Sequence, residues 1–244
     1  PLDWPRTALA SFTSLSIGHN LGFAAVSTGA LRYRFYSRWG LKAGEIAQVI
    51  VFCGVTVGLG LMTVGGVALL LHPDIAVKVT RLSPAIVMVL GIGLLGLVAA
   101  YLVLAAVLRR TLTIRGQSIH LPSVRLALAQ VGIGAANFAC VAAALHQMIA
   151  ALGEVPYASV AAAYVTANTA GLISHVPGGL GVIESVVAML LSQGDVIGAL
   201  VAFRVAYYLI PLGLGALALA LSEMFIRKAN RVRGRSGGKD PAAR

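Results

Sequence analysis

Residues 84–108 read PAIVMVLGIGLLGLVAAYLVLAAVL, a stretch without one charged side chain. As an α-helix it extends about 37 Å, more than the roughly 30 Å of hydrocarbon in a bilayer. Lipid therefore suits it better than a protein core. Working outward, further apolar runs occupy 7–31, 45–71, 123–150, 156–175, 180–193 and 196–225. Together they predict an all-α, polytopic membrane helix bundle, with about five full spans and one interrupted helical pair.

Composition agrees. The chain of 244 residues is 58% hydrophobic and 11% charged, against about 25% charged residues in soluble domains. Its net charge of +11 would suit nucleic acid or anionic lipid. The cations fall in short gaps between apolar runs and in the tail, which is the pattern of a cytoplasmic membrane face, and no folded basic domain is left for nucleic acid. Cys53 and Cys140 both lie inside apolar runs and read as small embedded residues, with no metal set among them. Ser83 before Pro84, Ser123 after Pro122, and Gly194 with Asp195 are the expected helix starts.

Two stretches are not spans. Between Arg109 and Pro122, Leu112, Ile114, Ile119 and Leu121 alternate with polar residues around Arg115, Gly116 and Gln117, predicting a small surface hairpin. Residues 32–42 mix Arg32, Arg34, Arg38 and Lys42 with Tyr33, Phe35, Tyr36 and Trp39, as expected of a segment lying flat at headgroup depth. Beyond Phe225 the chain is basic and Gly-rich, which divides it into a membrane domain over 1–226 and a cytoplasmic tail or linker over 227–244.

Sidedness follows from the cations. The gap after the first run holds four, that around Lys78 and Arg81 two, the group Arg109, Arg110, Arg115 and Arg125 four, and 153–157 none. This alternates inside, outside, inside, outside, and the basic tail is inside. The last span must then start outside, so the stretch between Glu154 and Gln193 leaves that face and returns. Its second limb is about 21 Å long, short for a span, which favours a re-entrant pair. On this count the first helix begins outside, and with Pro1 rather than Met at the start, an odd number of spans is expected upstream.

The turn of that pair is SHVPGGLGVIE, Ser174 to Glu184. Pro177 with Gly178 and Gly179 breaks a helix, and backbone freed at membrane depth persists only where protein or a watery cavity satisfies it. Transporters bind substrate at such breaks, and a helix starting near Leu180 would present its positive end to an anion. The competing reading is a plain turn at the membrane surface. Glu184 lies one turn past the break, and Arg204 lies about 13 Å into the last helix. An unpaired charge at that depth costs at least about 2.5–3.5 kcal/mol, so mutual pairing is expected, whether for function or for structure alone.

His19 and Asn20 interrupt the first run between Gly18 and Gly22. Like Asn137, His146, Asn168 and His175, they suit hydrogen bonding inside a bundle as well as a site. Tyr207, Tyr208 and Pro211 mark a kink beside Arg204. Gly91, Gly93 and Gly96 imitate a dinucleotide loop but follow no strand, and Gly54 with Gly58 suggests close helix packing. With no phosphate-binding loop, HExxH or GxSxG pattern, the sequence predicts no catalytic residues, no metal and no cofactor, and no enzyme in this segment.

Four blocks carry a resemblance: SIGHNLGF at 16–23, ALRYRFYSRWGL at 30–41, SHVPGGLGVIE at 174–184 and FRVAYYLIPL at 203–212. They resemble the transmembrane domain of the lysylphosphatidylglycerol synthetase and flippase family, the multiple peptide resistance factors. The resemblance implies movement of aminoacylated phosphatidylglycerol to the outer leaflet of the bacterial cytoplasmic membrane, lowering surface charge and resisting cationic antimicrobial peptides. It also implies a separate aminoacyl-tRNA-dependent transferase domain, which this segment lacks. The motif positions it marks are His19, Asn20, Arg32, Arg34, Pro177, Gly178, Gly179, Glu184 and Arg204. To these the break and kink add His175, Tyr207 and Tyr208 as candidate lipid contacts. An anionic or aminoacylated phospholipid is the expected partner, with Arg32 and Arg34 collecting its phosphate, and a homo-oligomer is possible. A scaffold that oligomerises a lipid-aminoacylating enzyme and a small-solute or ion transporter are the alternatives.

Overall fold

A computed structural model describes residues 2–21, 24–107, 112–114, 117–119, 122–191 and 196–236. The helices are α1 (Trp4–Gly18), α2 (Ala24–Arg38), α3 (Ala43–Leu71), α4 (Pro73–Thr80), α5 (Pro84–Val107), α6 (Val124–Ala150), α7 (Tyr157–Ser174), α8 (Val182–Leu191), α9 (Val196–Arg204) and α10 (Ile210–Ser236). A 3-10 turn at Pro177–Gly179 joins α7 to α8, and a π-helical turn at Val205–Leu209 joins α9 to α10. The chain is an all-helical membrane bundle. Among the described residues one small ribbon pairs β1 (Leu112–Ile114) with β2 (Gln117–Ile119) antiparallel, Leu112 facing Ile119, where the alternating pattern places a hairpin. Arg109, Arg110, Gly194 and Asp195 lie outside the described residues.

Among the described residues four helices are long and apolar enough to span: Ala43–Leu71, Pro84–Val107, Val124–Ala150 and Val196–Met224. The expected fifth, over 7–31, is instead two helices. α1 ends at His19, and α2, which packs against it, begins at Ala24. At 15 residues each they reach about 22 Å, short of the hydrocarbon thickness. An antiparallel hairpin returns to the face it left, so the requirement for an odd number of upstream spans no longer follows. Residues 32–42 are correspondingly not a free surface segment: the chain is helical through Arg38, and Phe35 and Tyr36 are each 2% exposed.

Two units partition the chain, Pro1–Ile46 with Val205–Arg244, and Ala47–Arg204. In the first, α1 packs on α2 and on α10. Gly215 in α10 allows this approach, since a Cβ there would lie 2.7 Å from Cβ of Ser16. The π turn precedes Pro211, whose missing N–H removes a regular helix bond, and Asn20 Nδ2 donates to the Tyr208 carbonyl within that turn at 3.4 Å. Helix α10 continues through Ser236, so residues 227–236 of the expected linker are helical. Ala, Lys and Arg favour helix, and cations suit its carboxyl end.

The second unit holds α5, α6 and the α7–α8 pair, with α4 against α5, α7 and α8. Ser123 and Ser83 cap α6 and α5, accepting from the amides of Leu126 and Ile86 at 3.4 Å. The close crossing of α3 and α6 is at Gly60, where a Cβ would lie 2.6 Å from Gly134 Cα, whereas Gly54 and Gly58 face open space. The expected GxxxG contact is thus displaced by a few residues along α3. Gly91 packs against the Gly66 carbonyl, while Gly93 and Gly96 meet nothing. Gln130, 3% exposed, ties three helices together: it accepts from the Tyr101 hydroxyl and donates to the Phe52 carbonyl and Thr56 Oγ1.

Candidate functional site

The α7–α8 hairpin is built by backbone that only glycine adopts easily. Past α7, His175 takes a left-handed conformation at φ 55°, and Gly178, Gly179 and Gly181 follow at 58°, 60° and 78°. Pro177 opens the 3-10 turn. The chain doubles back closely enough for Gly171 to face Gly179 and Ile183. Helix α8 then has 10 residues, about 15 Å, half the hydrocarbon thickness.

Glu184 sits in the first turn of α8 and accepts from the Gly181 amide at 2.8 Å. This is half of a capping box: the carboxylate folds back on the helix start and meets its positive dipole end. The anion at the amino end of α8 is therefore the chain's own Glu184, where the sequence alone suggests a bound ligand. Ser185 closes the turn, its amide donating to the Gly181 carbonyl at 3.0 Å.

Arg204 ends α9 and pairs with Glu184 through Nε and Nη2. It also donates from Nη1 to the Gly178 carbonyl at 3.2 Å and from Nη2 to the Gly179 carbonyl at 3.4 Å. The side chains are 15% and 29% exposed. One guanidinium thus serves a carboxylate and two carbonyls that the break leaves outside any helix ladder. Its planar fork matches that demand as an ammonium would not.

His175 Nδ1 donates to the Ile173 carbonyl at 2.8 Å, which orients its ring beside its own turn. In the first unit, Asn20 bonds the Ser16 and Tyr208 carbonyls, and Tyr207 stacks edge-on against Tyr208 with centroids 5.0 Å apart. His19 is the residue on which α1 ends. Arg34 and Arg38 both pair with Glu223 of α10, Arg34 at 2.8 Å, whereas Arg32 is buried at 5% exposure. Glu223 is a residue the sequence reading missed. Its signal is a lone acid at the end of an apolar run in a chain with 8 acidic residues.

A groove of about 630 Å³ lies in the second unit, lined by Met62, Leu69, Leu90, Val165 and Ile173 among others. Its threonines are already satisfied: Thr80, Thr166 and Thr169 each donate to a carbonyl of their own helix at 2.8 Å.

Fold and site together define a polytopic helical membrane protein with a charge-paired helical break. Compared with known proteins, the chain matches no family model. It is 34% identical over 243 residues to the uncharacterized protein slr0712 of Synechocystis sp., an alignment covering 98% of this chain and 75% of that protein. It is also 35% identical over 205 residues to the inner membrane protein YbhN of Escherichia coli, covering 81% of this chain and 64% of YbhN. The chain belongs to the family of slr0712 and spans less than two thirds of the length of YbhN.

Proposed function

We propose that this chain is the lipid-translocating domain of a bacterial inner-membrane protein, moving an anionic or aminoacylated phospholipid such as lysylphosphatidylglycerol from the inner to the outer leaflet. The observation that carries this is Arg204, placed about 13 Å into a span and held by Glu184 and the two break carbonyls. Ionised residues inside a span mark substrate pathways, and broken helices supply transporter sites. A polar headgroup crossing hydrocarbon needs such partners along its route, and the Arg204 fork exchanges its carbonyls for phosphate oxygens without leaving Glu184.

The groove favours lipid over a small polar solute. Its lining is apolar and runs to Ile173 and Ser174, next to the break, and its volume is in the range of small-molecule pockets. An acyl chain gains about 0.8 kcal/mol per buried CH₂ in leaving water. YbhN being an inner membrane protein supports the same membrane here, and the basic tail supports a cytoplasmic carboxyl end. The motif resemblance to the lysylphosphatidylglycerol flippases names the substrate class, and a transferase partner on the cytoplasmic side follows from it.

The test is reconstitution of the full-length protein in liposomes with labelled lysylphosphatidylglycerol, reading outer-leaflet accessibility with time. Acceleration over protein-free vesicles is expected. A rate equal to theirs retires the proposal.

A further inference from the structure

Three buried polar atoms in the first unit have no hydrogen-bond partner among the described residues: Thr13 Oγ1, Ser14 Oγ and Arg32 Nε. All three lie in the α1–α2 hairpin, and its register places Ser14 opposite Arg32. A Cβ on Gly18 would lie 2.9 Å from Thr28 Cα, so the two backbones touch at that level. Four residues back along α1 is Ser14, and four on along α2 is Arg32. In an antiparallel pair these share one level of the same facing surfaces. One turn further, the same register sets Ala10 opposite Tyr36, and their exposures of 0% and 2% fit it. Thr13 precedes Ser14, so its hydroxyl flanks the pair from about 100° round the helix.

The cluster therefore offers the Nε of a buried guanidinium and two hydroxyls, none of them with a partner among the described residues. Neither helix contains an Asp or Glu, and Glu223 of α10 is engaged by Arg34 and Arg38. Buried charge and buried hydroxyls each carry a desolvation cost that persists until they are paired. A buried guanidinium facing one unanswered hydroxyl and flanked by a second is the donor set that suits an oxyanion such as phosphate.

We propose that Arg32, Ser14 and Thr13 form a phosphate-binding site inside the α1–α2 hairpin, filled by a lipid phosphodiester or by free phosphate. It rests on the translocation reading only for lipid as one source of that phosphate. It also separates Arg32 from Arg34: the first binds the anion, while the second is held by Glu223.

The site is tested by binding alone, so that its failure leaves the transport proposal standing. Delipidated full-length protein in non-ionic detergent is titrated calorimetrically with inorganic phosphate and with dioctanoyl phosphatidylglycerol. Parallel titrations use Thr13→Val, Ser14→Ala and Arg32→Gln. Saturable binding is expected, weakened about tenfold by each hydroxyl deletion and abolished in Arg32→Gln, since a charged hydrogen bond is worth at least the free energy of one decade. Thr13→Val and Ser14→Ala remove orphan hydroxyls and should fold, which melting curves check. Binding of the lipid alone assigns the site to a headgroup, binding of phosphate alone to the free anion, and binding of both to either source. The proposal is overturned if neither probe binds the native protein, or if the hydroxyl variants bind like it.

Discussion

Arg204 reaches Glu184 and the carbonyls of Gly178 and Gly179 with one guanidinium, so the last span and the broken hairpin share a single polar knot. Removing one partner strands the other. Breaking a buried pair costs about 3–5 kcal/mol, whereas replacing both partners by apolar groups is often neutral. Thermal melts in detergent should show Arg204→Met well below the native protein and Glu184→Leu with Arg204→Met recovering part of that loss, the Gly178 and Gly179 carbonyls still lacking their donor. Equal destabilisation of single and double variants would mean that the carbonyl contacts, not the ion pair, hold the hairpin.

The hairpin turn distinguishes strain from crowding. Gly179 and Gly181 both have positive φ, but a Cβ on Gly179 would lie 2.8 Å from Ile183 Cδ1, while one on Gly181 meets nothing. Left-handed backbone costs a non-glycine residue about 1–2 kcal/mol. Gly181→Ala should lose about that amount, and Gly179→Ala more, with Ile183 displaced. Melting temperatures in the reverse order would place the tight point of the turn elsewhere.

Helix packing provides a second pair. Gly60→Ala drives a methyl into Gly134 and should destabilise α3 against α6, whereas Gly58→Ala, in open space, should gain up to about 1 kcal/mol from helix propensity. The comparison is read by melting in the same detergent. Similar losses at both positions would return the contact to the GxxxG pair.

At α10, Glu223, 20% exposed, holds Arg34 and Arg38, 48% and 35% exposed, and a cluster this accessible to solvent contributes on the order of 1 kcal/mol. Glu223→Gln should change the melting temperature little, but it frees two cations for anions. Binding to vesicles rich in phosphatidylglycerol should tighten severalfold and fall as salt is raised. Unchanged vesicle binding would show that Arg34 and Arg38 do not face headgroups.

What the sequence makes legible is set by length scale. Apolar runs report spans because hydrocarbon thickness is a one-dimensional demand, and the 112–119 ribbon is visible because alternation is local. Pro177 with its glycines announces the second hairpin, and Glu184 and Arg204 imply each other because neither is tolerated alone. The first hairpin was hidden. Gly18, His19, Asn20 and Gly22 contain no Pro, and an apolar run continues on both sides, so a continuous helix fits the residues equally well. Only the touch of Gly18 on Thr28 reveals the fold-back. Thr13 and Ser14 were silent for the same reason, since serine and threonine inside a helix usually bond their own backbone. That these two do not is a tertiary fact.

The account stands on the charged break as the place where a headgroup crosses. Its most direct measurement is transport of labelled lysylphosphatidylglycerol in liposomes by the Glu184→Leu, Arg204→Met double variant, after melting confirms that it folds. The account predicts that outer-leaflet appearance falls to the rate of protein-free vesicles. Transport at the native rate by that folded variant would contradict it.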